Sequence, residues 1–424
     1  MAKIKPVNEI VALVWDNGLF VELARKLGQQ YKKVYYHCPW QNGFPKMNQA
    51  KIGFGIPEIE LVSSPWQCFD ECDIIIFPDV YFGPEQLFIE EHFPEKLVWG
   101  SRMGEDFELE RAYTKELMKS VGLPVSDYST VTGIDALKDY LKTHEDVWVK
   151  ISRWRGHMET FPAPNFRLVE PRITELELQL GGFAPITEFI VEKAINDCEE
   201  FGIDGYCIDG EMPSLIFNGF EVKDKGDIGK MMKYSSIPEP ITRWERLMKP
   251  FLKEVGYRGF LSTEVRITQD HTPYMIDACA RCGSPPNELY QELFTNLGEI
   301  IYFGAMGKLV DPKPKAEWGA EILIHSSWAD KNWQPVAFPK EMREFIKLRN
   351  CACINGIYYA IPQTVGLPEI GAAVGYGSSM DAAIKMAKEV AETVEGYYIE
   401  AQDDALDDAV DVIENANKVF PGMM

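Results

Sequence analysis

Glu264-Val-Arg-Ile-Thr-Gln-Asp-His-Thr-Pro-Tyr-Met-Ile-Asp277-Ala-Cys-Ala-Arg281-Cys-Gly283-Ser-Pro285 is the stretch on which the reading of this chain turns. Two runs flank the polar turn Gln269 to Pro273, which predicts two adjacent strands. Each strand carries a carboxylate, Glu264 on the first and Asp277 near the end of the second. An antiparallel return of this length brings them side by side. Two carboxylates on rigid strands repel unless a cation sits between them. Mg²⁺, held by one or two carboxylates together with substrate phosphates, suits such a pair. Arg281 follows closely and is placed to hold an anionic group. The alternative is a surface hairpin with scattered charges.

The rest of the chain narrows the setting. Its 424 residues suggest about two to four domains. With 46% hydrophobic and 12% aromatic residues there is material for a sizeable core, and disorder is not expected. The formal net charge of −22 argues against a chain-wide nucleic-acid footprint. Anionic substrates would need local positive charge to overcome this field. No apolar run is long enough to span a bilayer, and Met1-Ala-Lys-Ile-Lys-Pro6 lacks the apolar stretch of a signal peptide. An odd count of nine cysteines with no such signal favours a reducing, cytoplasmic setting. Of the close pairs Cys68/Cys72, Cys279/Cys282 and Cys351/Cys353, one is CxxC and none has a second pair at finger-like spacing, which speaks against structural zinc.

The first hundred residues alternate strand and helix: strand Glu9 to Trp15, turn Asp16-Asn17-Gly18, helix Leu19 to Leu27, strands Lys33 to His37, Asp73 to Phe77 and Leu97 to Trp99. That order predicts a parallel α/β sheet, with ligands beyond the carboxyl ends of its strands. Asp16 and Asp79 stand at such ends, although the first turn reads rather as simple punctuation. A helix from Glu108 to Val121 follows, then a small α/β unit: strand Tyr128 to Val131, helix Ile134 to Lys142 and strand Val147 to Ile151. Next come a helix from about Thr174 to Leu180 and strands Glu188 to Glu192, Phe201 to Ile208 and Ser214 to Phe220. Helix Arg243 to Val255 leads into the hairpin, and Asn287 to Met306 reads as one helix. Asp311-Pro-Lys-Pro-Lys-Ala316 reads as a linker. Strands Ala320 to Ser326, Cys353 to Ala360 and Gly371 to Tyr376, helix Met380 to Val394 and an acidic helical tail from Ala405 to Asn417 complete the pattern.

Several charged residues recur at strand ends. Lys150 ends an apolar strand, where it either snorkels or reaches a ligand. Glu192, Lys193, Ala194 and Ile195 end another, where backbone groups could pair with an adenine edge. Glu199 and Glu200 come shortly after, suited to ribose hydroxyls. Taken in order, these features resemble the ATP-grasp superfamily, and within it most closely phosphoribosylamine–glycine ligases, nearly end to end. Glu110-Arg-Ala-Tyr-Thr-Lys115 resembles the Ser-Lys-Ala-Phe-Thr-Lys of that family, with Arg111 at its phosphate-binding lysine. Lys150 matches the second phosphate-binding lysine, Ile190-Val-Glu-Lys-Ala194 resembles the adenine hinge, and Glu200 rather than Glu199 matches the ribose-binding acid. Asp277-Ala-Cys-Ala-Arg-Cys-Gly-Ser-Pro285 resembles Glu-x-Asn-x-Arg-x-Gly-x-Pro.

The resemblance implies an α/β and α+β multidomain ATP-grasp fold. Residues 1–105 would form a parallel α/β domain, 106–195 a lid subdomain up to the hinge, 196–312 the metal-bearing subdomain and 313–424 a small α+β domain. It implies ATP and Mg²⁺, with Mn²⁺ as an alternative, the metal on Glu264 and Asp277. Arg281 would act on the acylphosphate or carboxylate. Lys225, in Val222-Lys-Asp-Lys-Gly226, is either a further phosphate or substrate contact or a solvated turn. The activity implied is a carboxylate–amine ligase acting on small molecules, away from membranes, with a homo-oligomer compatible. Three departures point to a different acid or amine: Cys279 replaces the metal-binding asparagine, Arg153-Trp-Arg-Gly-His-Met158 replaces a glycine-rich flap, and Asp16-Asn17-Gly18 lacks the fuller glycine pattern. The alternatives are a non-catalytic nucleotide-binding protein, a carboxylating or kinase-type relative, and a phosphoribosylamine–glycine ligase proper.

Overall fold

The computed structural model describes residues 4–39, 51–152, 160–222, 225–362, 369–401 and 406–421; Arg153 to Met158 lie outside them. The amino-terminal block is a five-stranded parallel sheet in the order Glu60–Leu61, Lys33–His37, Val11–Trp15, Ile74–Ile76, Leu97–Trp99. Strands Val11–Trp15, Ile74–Ile76 and Leu97–Trp99 are apolar throughout because both faces are covered. Val14, Tyr36 and Ile76 belong to one core cluster, and Leu13, Tyr35 and Ile75 to another. The chain reverses direction across the sheet beside Val11–Trp15, so Asp16 and Asp79 lie at a topological switch point.

A four-stranded antiparallel sheet follows, in the order Tyr128–Thr132, Glu188–Lys193, Val147–Ile151, Thr160–Ala163. Helices Ile134–Leu141 and Phe166–Leu180 pack against it around Leu137, Val149, Ile173 and Phe189, a core cluster separate from those of the rest of the chain. The second helix starts eight residues before its expected start. Asn165 caps it by accepting the Leu168 amide at 3.1 Å, and Pro171 lies inside the helix.

The third unit is a nine-stranded sheet. Its main path runs Pro273–Cys279, Arg258–Thr268, Cys198–Ile208, Leu215–Val222, Gly226–Lys233, Trp318–Ser326, Glu369–Gly377, Ile346–Leu348, with Ile399–Ala401 added beside Trp318–Ser326. It runs without interruption across the boundary expected at residues 312/313, through the pairing of Gly226–Lys233 with Trp318–Ser326.

Other elements also differ from expectation. The helix expected from Glu108 to Val121 is two, Asp106–Leu109 and Arg111–Ser120, broken at Glu110 (φ −101°, ψ 69°). Residues 287–306 form two helices, Asn287–Leu293 and Leu297–Ala305. The strand expected over Cys353 to Ala360 is a hairpin of Cys351–Ile354 and Ile357–Ala360. Its two-residue turn, Asn355 and Gly356, has positive φ at both positions (52° and 80°), the backbone that Asn-Gly favours. Gly226–Lys233 is a strand despite its glycines and lysines.

Buried ion pairs join the first and last blocks. Arg25 bonds Glu22 (2.8 Å) and Glu344 (3.1 Å), Arg343 bonds Glu22 (2.7 Å), and Glu292 holds both Lys26 (2.9 Å) and Lys347 (2.7 Å). Among the described residues no helix is long and apolar enough to cross a membrane.

Candidate functional site

The hairpin register places Glu264 directly opposite Asp277, and Glu264 opposite Gly202 on the next strand. Further across, Asp204 faces Ser262, Gly202 faces Gly219, and Glu221 faces Asp227. Alternate residues of a strand share a face, so Asp277, Glu264, Asp204, Glu221 and Asp227 form a row on one side of the sheet. Glu321, opposite Asp227, extends it. A cavity of about 350 Å³ opens over this row, also lined by Glu108, Arg111, Glu199, Glu200, Arg281 and the Gly283 to Pro286 turn.

Asp277 is the most heavily compensated acid. Burial raises its pKa, but Arg111, which bonds it directly, and Lys150, at 3.6 Å, outweigh burial and hold the carboxyl at about 2. Lys150 also donates to the Ile276 carbonyl at 3.0 Å, so the end of an apolar strand in the four-stranded sheet reaches the hairpin. Glu192 lies between Lys115 (3.0 Å) and Lys150 (3.6 Å) and accepts from the Ser126 hydroxyl at 3.1 Å. Burial opposes its charge and the two lysines restore it, leaving its pKa below the ordinary value.

Arg281 is fixed from the other side. Its Nε donates to Glu108 Oε1 at 2.9 Å, while Glu108 Oε2 accepts the Ala280 amide at 2.8 Å. The break at Glu110 thus separates a helix that positions Arg281 from one that begins with Arg111. Asp79 acts electrostatically on Arg281, and the Cys282 amide donates to the Pro78 carbonyl at 2.8 Å, so the switch point of the parallel sheet borders the site. Asp16 is turned inward instead. It accepts from the Gly18 and Phe20 amides (3.0 and 2.9 Å) and the Tyr36 hydroxyl (2.7 Å), closing its own turn.

The residues expected at the site fall into three groups. Arg111, Glu199, Glu200, Glu264, Asp277 and Arg281 line the cavity, with Glu200 held by Arg266 Nε at 2.8 Å. Lys150 and Glu192 meet behind Asp277. Lys193, Ala194 and Ile195 stand at the strand end, where the Lys193 and Ala194 amides are engaged by the carbonyls of Asp127 (2.9 Å) and Asp146 (3.0 Å). A purine edge there would be read by carbonyls or by Ile195. Lys225 sits in the turn before Gly226–Lys233 and is not among the described residues lining the cavity.

The donor set fits Mg²⁺. Two opposed carboxylates, one with its pKa held at about 2, suit a hard ion completed by phosphate oxygens. Among the described residues no group of three or more His, Cys, Asp or Glu could hold a metal ion by itself. Burial pushes the Cys279 thiol well above its ordinary pKa, so it stays protonated and adds no hard ligand.

Sequence reasoning did not single out Glu108, Lys115, Asp204 or Asp227 for the site. Lys115 sat inside the quoted motif. Asp204, within Phe201-Gly-Ile-Asp-Gly-Tyr-Cys-Ile208, was a carboxylate in an apolar run and could have been flagged. Glu108 had no signal beyond a helical glutamate.

No protein-family model and no curated protein matches the chain. Solved structures do. Phosphoribosylamine–glycine ligase from Thermotoga maritima superposes with a TM-score of 0.69 at 15% identity, covering 93% of this chain and 99% of that one. An L-amino acid ligase from Bacillus licheniformis gives 0.59 at 16%, covering 93% and 100%. A biotin carboxylase from Campylobacter jejuni, solved with an ATP ligand, gives 0.60 at 15%, covering 97% and 98%. At these identities the likeness is one of fold, and by it this chain has the ATP-grasp fold over nearly its whole length.

Proposed function

We propose that the protein is an ATP-dependent carboxylate–amine ligase. The observation that carries this reading is the opposed pair Glu264 and Asp277, flanked by Arg111 and Lys150 on one side and Arg281 on the other. Phosphoryl transfer asks a protein mainly for positioning and charge neutralisation, and this cluster offers both. A substrate carboxylate oxygen attacks the γ-phosphorus, the bond to the β-phosphate oxygen breaks, and ADP leaves. An amine nitrogen then attacks the acyl carbon, the carbon–oxygen bond to phosphate breaks, and an amide, phosphate and a proton result. Lys150 and Arg111 hold phosphate oxygens. Arg281, oriented by Glu108, holds the acid and then the acylphosphate. Glu192 to Ile195 and Glu199 or Glu200 hold the nucleoside, and Lys225 is a more distant candidate. Mg²⁺, or Mn²⁺ in its place, would sit on Glu264 and Asp277 and neutralise charge on the phosphates.

In this reading residues 1–105, 106–195, 196–312 and 313–424 are the substrate-side domain, the lid, the metal-bearing subdomain and the closing block, and the protein works in the cytoplasm. The test is ADP release by the full chain with Mg²⁺ and ATP against pooled carboxylates and amines. Glu264→Gln and Asp277→Asn should each cost on the order of 10²-fold in turnover with the fold retained. Undiminished turnover in both variants at saturating Mg²⁺ would overturn the metal assignment. The protonated thiol of Cys279 favours one second reading, a nucleotide-binding protein without turnover, which nucleotide binding without ADP release under every substrate pool would support.

A further inference from the structure

The far end of the cavity is built for positive charge. Among its described lining residues, carboxylates outnumber guanidinium groups eight to two. Both guanidiniums are committed, Arg111 to Asp277 and Arg281 to Glu108. Asp204, Glu221 and Asp227 stand on three successive strands away from either. Asp227 is 3% exposed, and its Oδ1 has no hydrogen-bond partner among the described residues. That oxygen lies over Gly219, 3.1 Å from where a Cβ would stand, in space that glycine leaves open beside the cavity. Glu221, opposite it in register, is exposed at the rim. An unpartnered buried carboxylate oxygen is costly unless something supplies a donor.

We propose that this end of the cavity holds a second, non-reacting cationic nitrogen of the amine substrate, so that the acceptor is an aliphatic diamine or a basic amino acid. Asp204 and Asp227 are the buried acceptors and Glu221 guards the mouth. An ammonium group, with three diverging donors, serves carboxylates too dispersed for a metal; the described residues include no cluster of three that could hold one. Asp227 stands three strand spacings from Glu264, about 14 Å along the sheet. A two-nitrogen molecule can therefore present one amine to the phosphate side while its other nitrogen stays near Asp227. An acceptor carrying a phosphate would meet like charge at these carboxylates.

The word acceptor rests on the ligase reading; the cation site does not. The probes are putrescine, with two charges, and n-butylamine, with one, titrated calorimetrically into the full chain with and without ADP and Mg²⁺. Putrescine should bind more tightly than n-butylamine. Asp227→Asn should weaken putrescine about ten-fold or more, as loss of a charged hydrogen bond does. Glu221→Gln, at an exposed position, should weaken it in the same direction and guards against a folding artefact at Asp227. Equal binding of the two amines, or an Asp227→Asn variant that binds putrescine like the parent, overturns the site. So does competition by Mg²⁺ with the same dependence on Asp227, which would make this a metal site. Putrescine binding without ADP release under any substrate pool would sink the ligase reading and leave the cation site standing. ADP release with amines that ignore Asp227 would do the reverse.

Discussion

Cys279 stands opposite Ser262, one alternation from the Glu264–Asp277 pair, where the similar family has an amide. A half-buried thiol that stays protonated gives a hard cation little, and an asparagine oxygen would give it more. Cys279→Asn should therefore keep or raise turnover, and lower the Mg²⁺ concentration needed for half-maximal ADP release. A large loss of kcat that added Mg²⁺ does not restore would show that the thiol shapes a substrate pocket instead. At this scale the sequence was informative where chemistry and spacing coincided. Glu264, Asp277 and Arg281 sit in one hairpin, so local alternation was enough to bring them together. Asp227 and Glu221 also share a hairpin, but its second strand, Gly226–Lys233, does not look like a strand in the sequence, and Glu108 reaches Arg281 from 173 positions away.

Among the elements, the four-stranded sheet and its two helices form the most self-contained piece. Leu137 and Ile173 are fully buried in a core that excludes the other sheets, while Lys150 makes one of its bonds to the hairpin. Leu137→Ala should cost this unit about 2–5 kcal/mol. Hydrogen exchange should then quicken at Val149 and Val191 while Val14 and Ile76 keep the parent's protection. Uniform quickening across all sheets would refute the unit's independence. Three of its strands, Tyr128–Thr132, Val147–Ile151 and Glu188–Lys193, were legible between turn signals, and Thr160–Ala163 was not. The first half of Phe166–Leu180 was not, because Pro171 reads as a break unless the Asn165 cap is known. Gly226–Lys233 was missed because its glycines, which Gly219 and Glu321 need for close approach, look like loop. The helix read over 287–306 hid a break at 294–296, where the polar Thr295 and Asn296 bond the Lys313 and Asp311 carbonyls.

For the whole molecule, buried carboxyls set the response to pH. Burial holds Asp16 at about 6, helped by Asp79, and Glu245 at about 7. Each favours the folded chain fully below its ordinary value of 3.8 or 4.5, and that contribution is lost as pH rises through 6 to 7, because the folded state then holds protons the unfolded chain has released. Asp277 and Glu22, held at about 2, act oppositely, and their contribution is lost as pH falls below about 4 toward 2. Melting temperature should accordingly peak near pH 5 and decline toward pH 8. Glu245→Gln should flatten the decline, because each tenfold difference in proton affinity between the folded and unfolded chain amounts to about 1.4 kcal/mol. A melting temperature that climbs from pH 5 to pH 8 would contradict these burials.

The nine-stranded sheet also governs how such a chain can be cut and recombined. Trp318–Ser326 covers the flank of Gly226–Lys233, the ion pairs of Arg343 and Glu344 tie the last block back to the helix Val21–Gly28, and Lys347 ties it to Glu292. A chain stopped at residue 312 would bare a sheet edge, a template for aggregation, and strip Glu22 and Glu292 of buried counter-charges. The last block is thus part of the sheet that carries the site rather than an appendage. The unit around Leu137 and Ile173, with its own core, is the piece that could be exchanged between relatives without unmaking the rest.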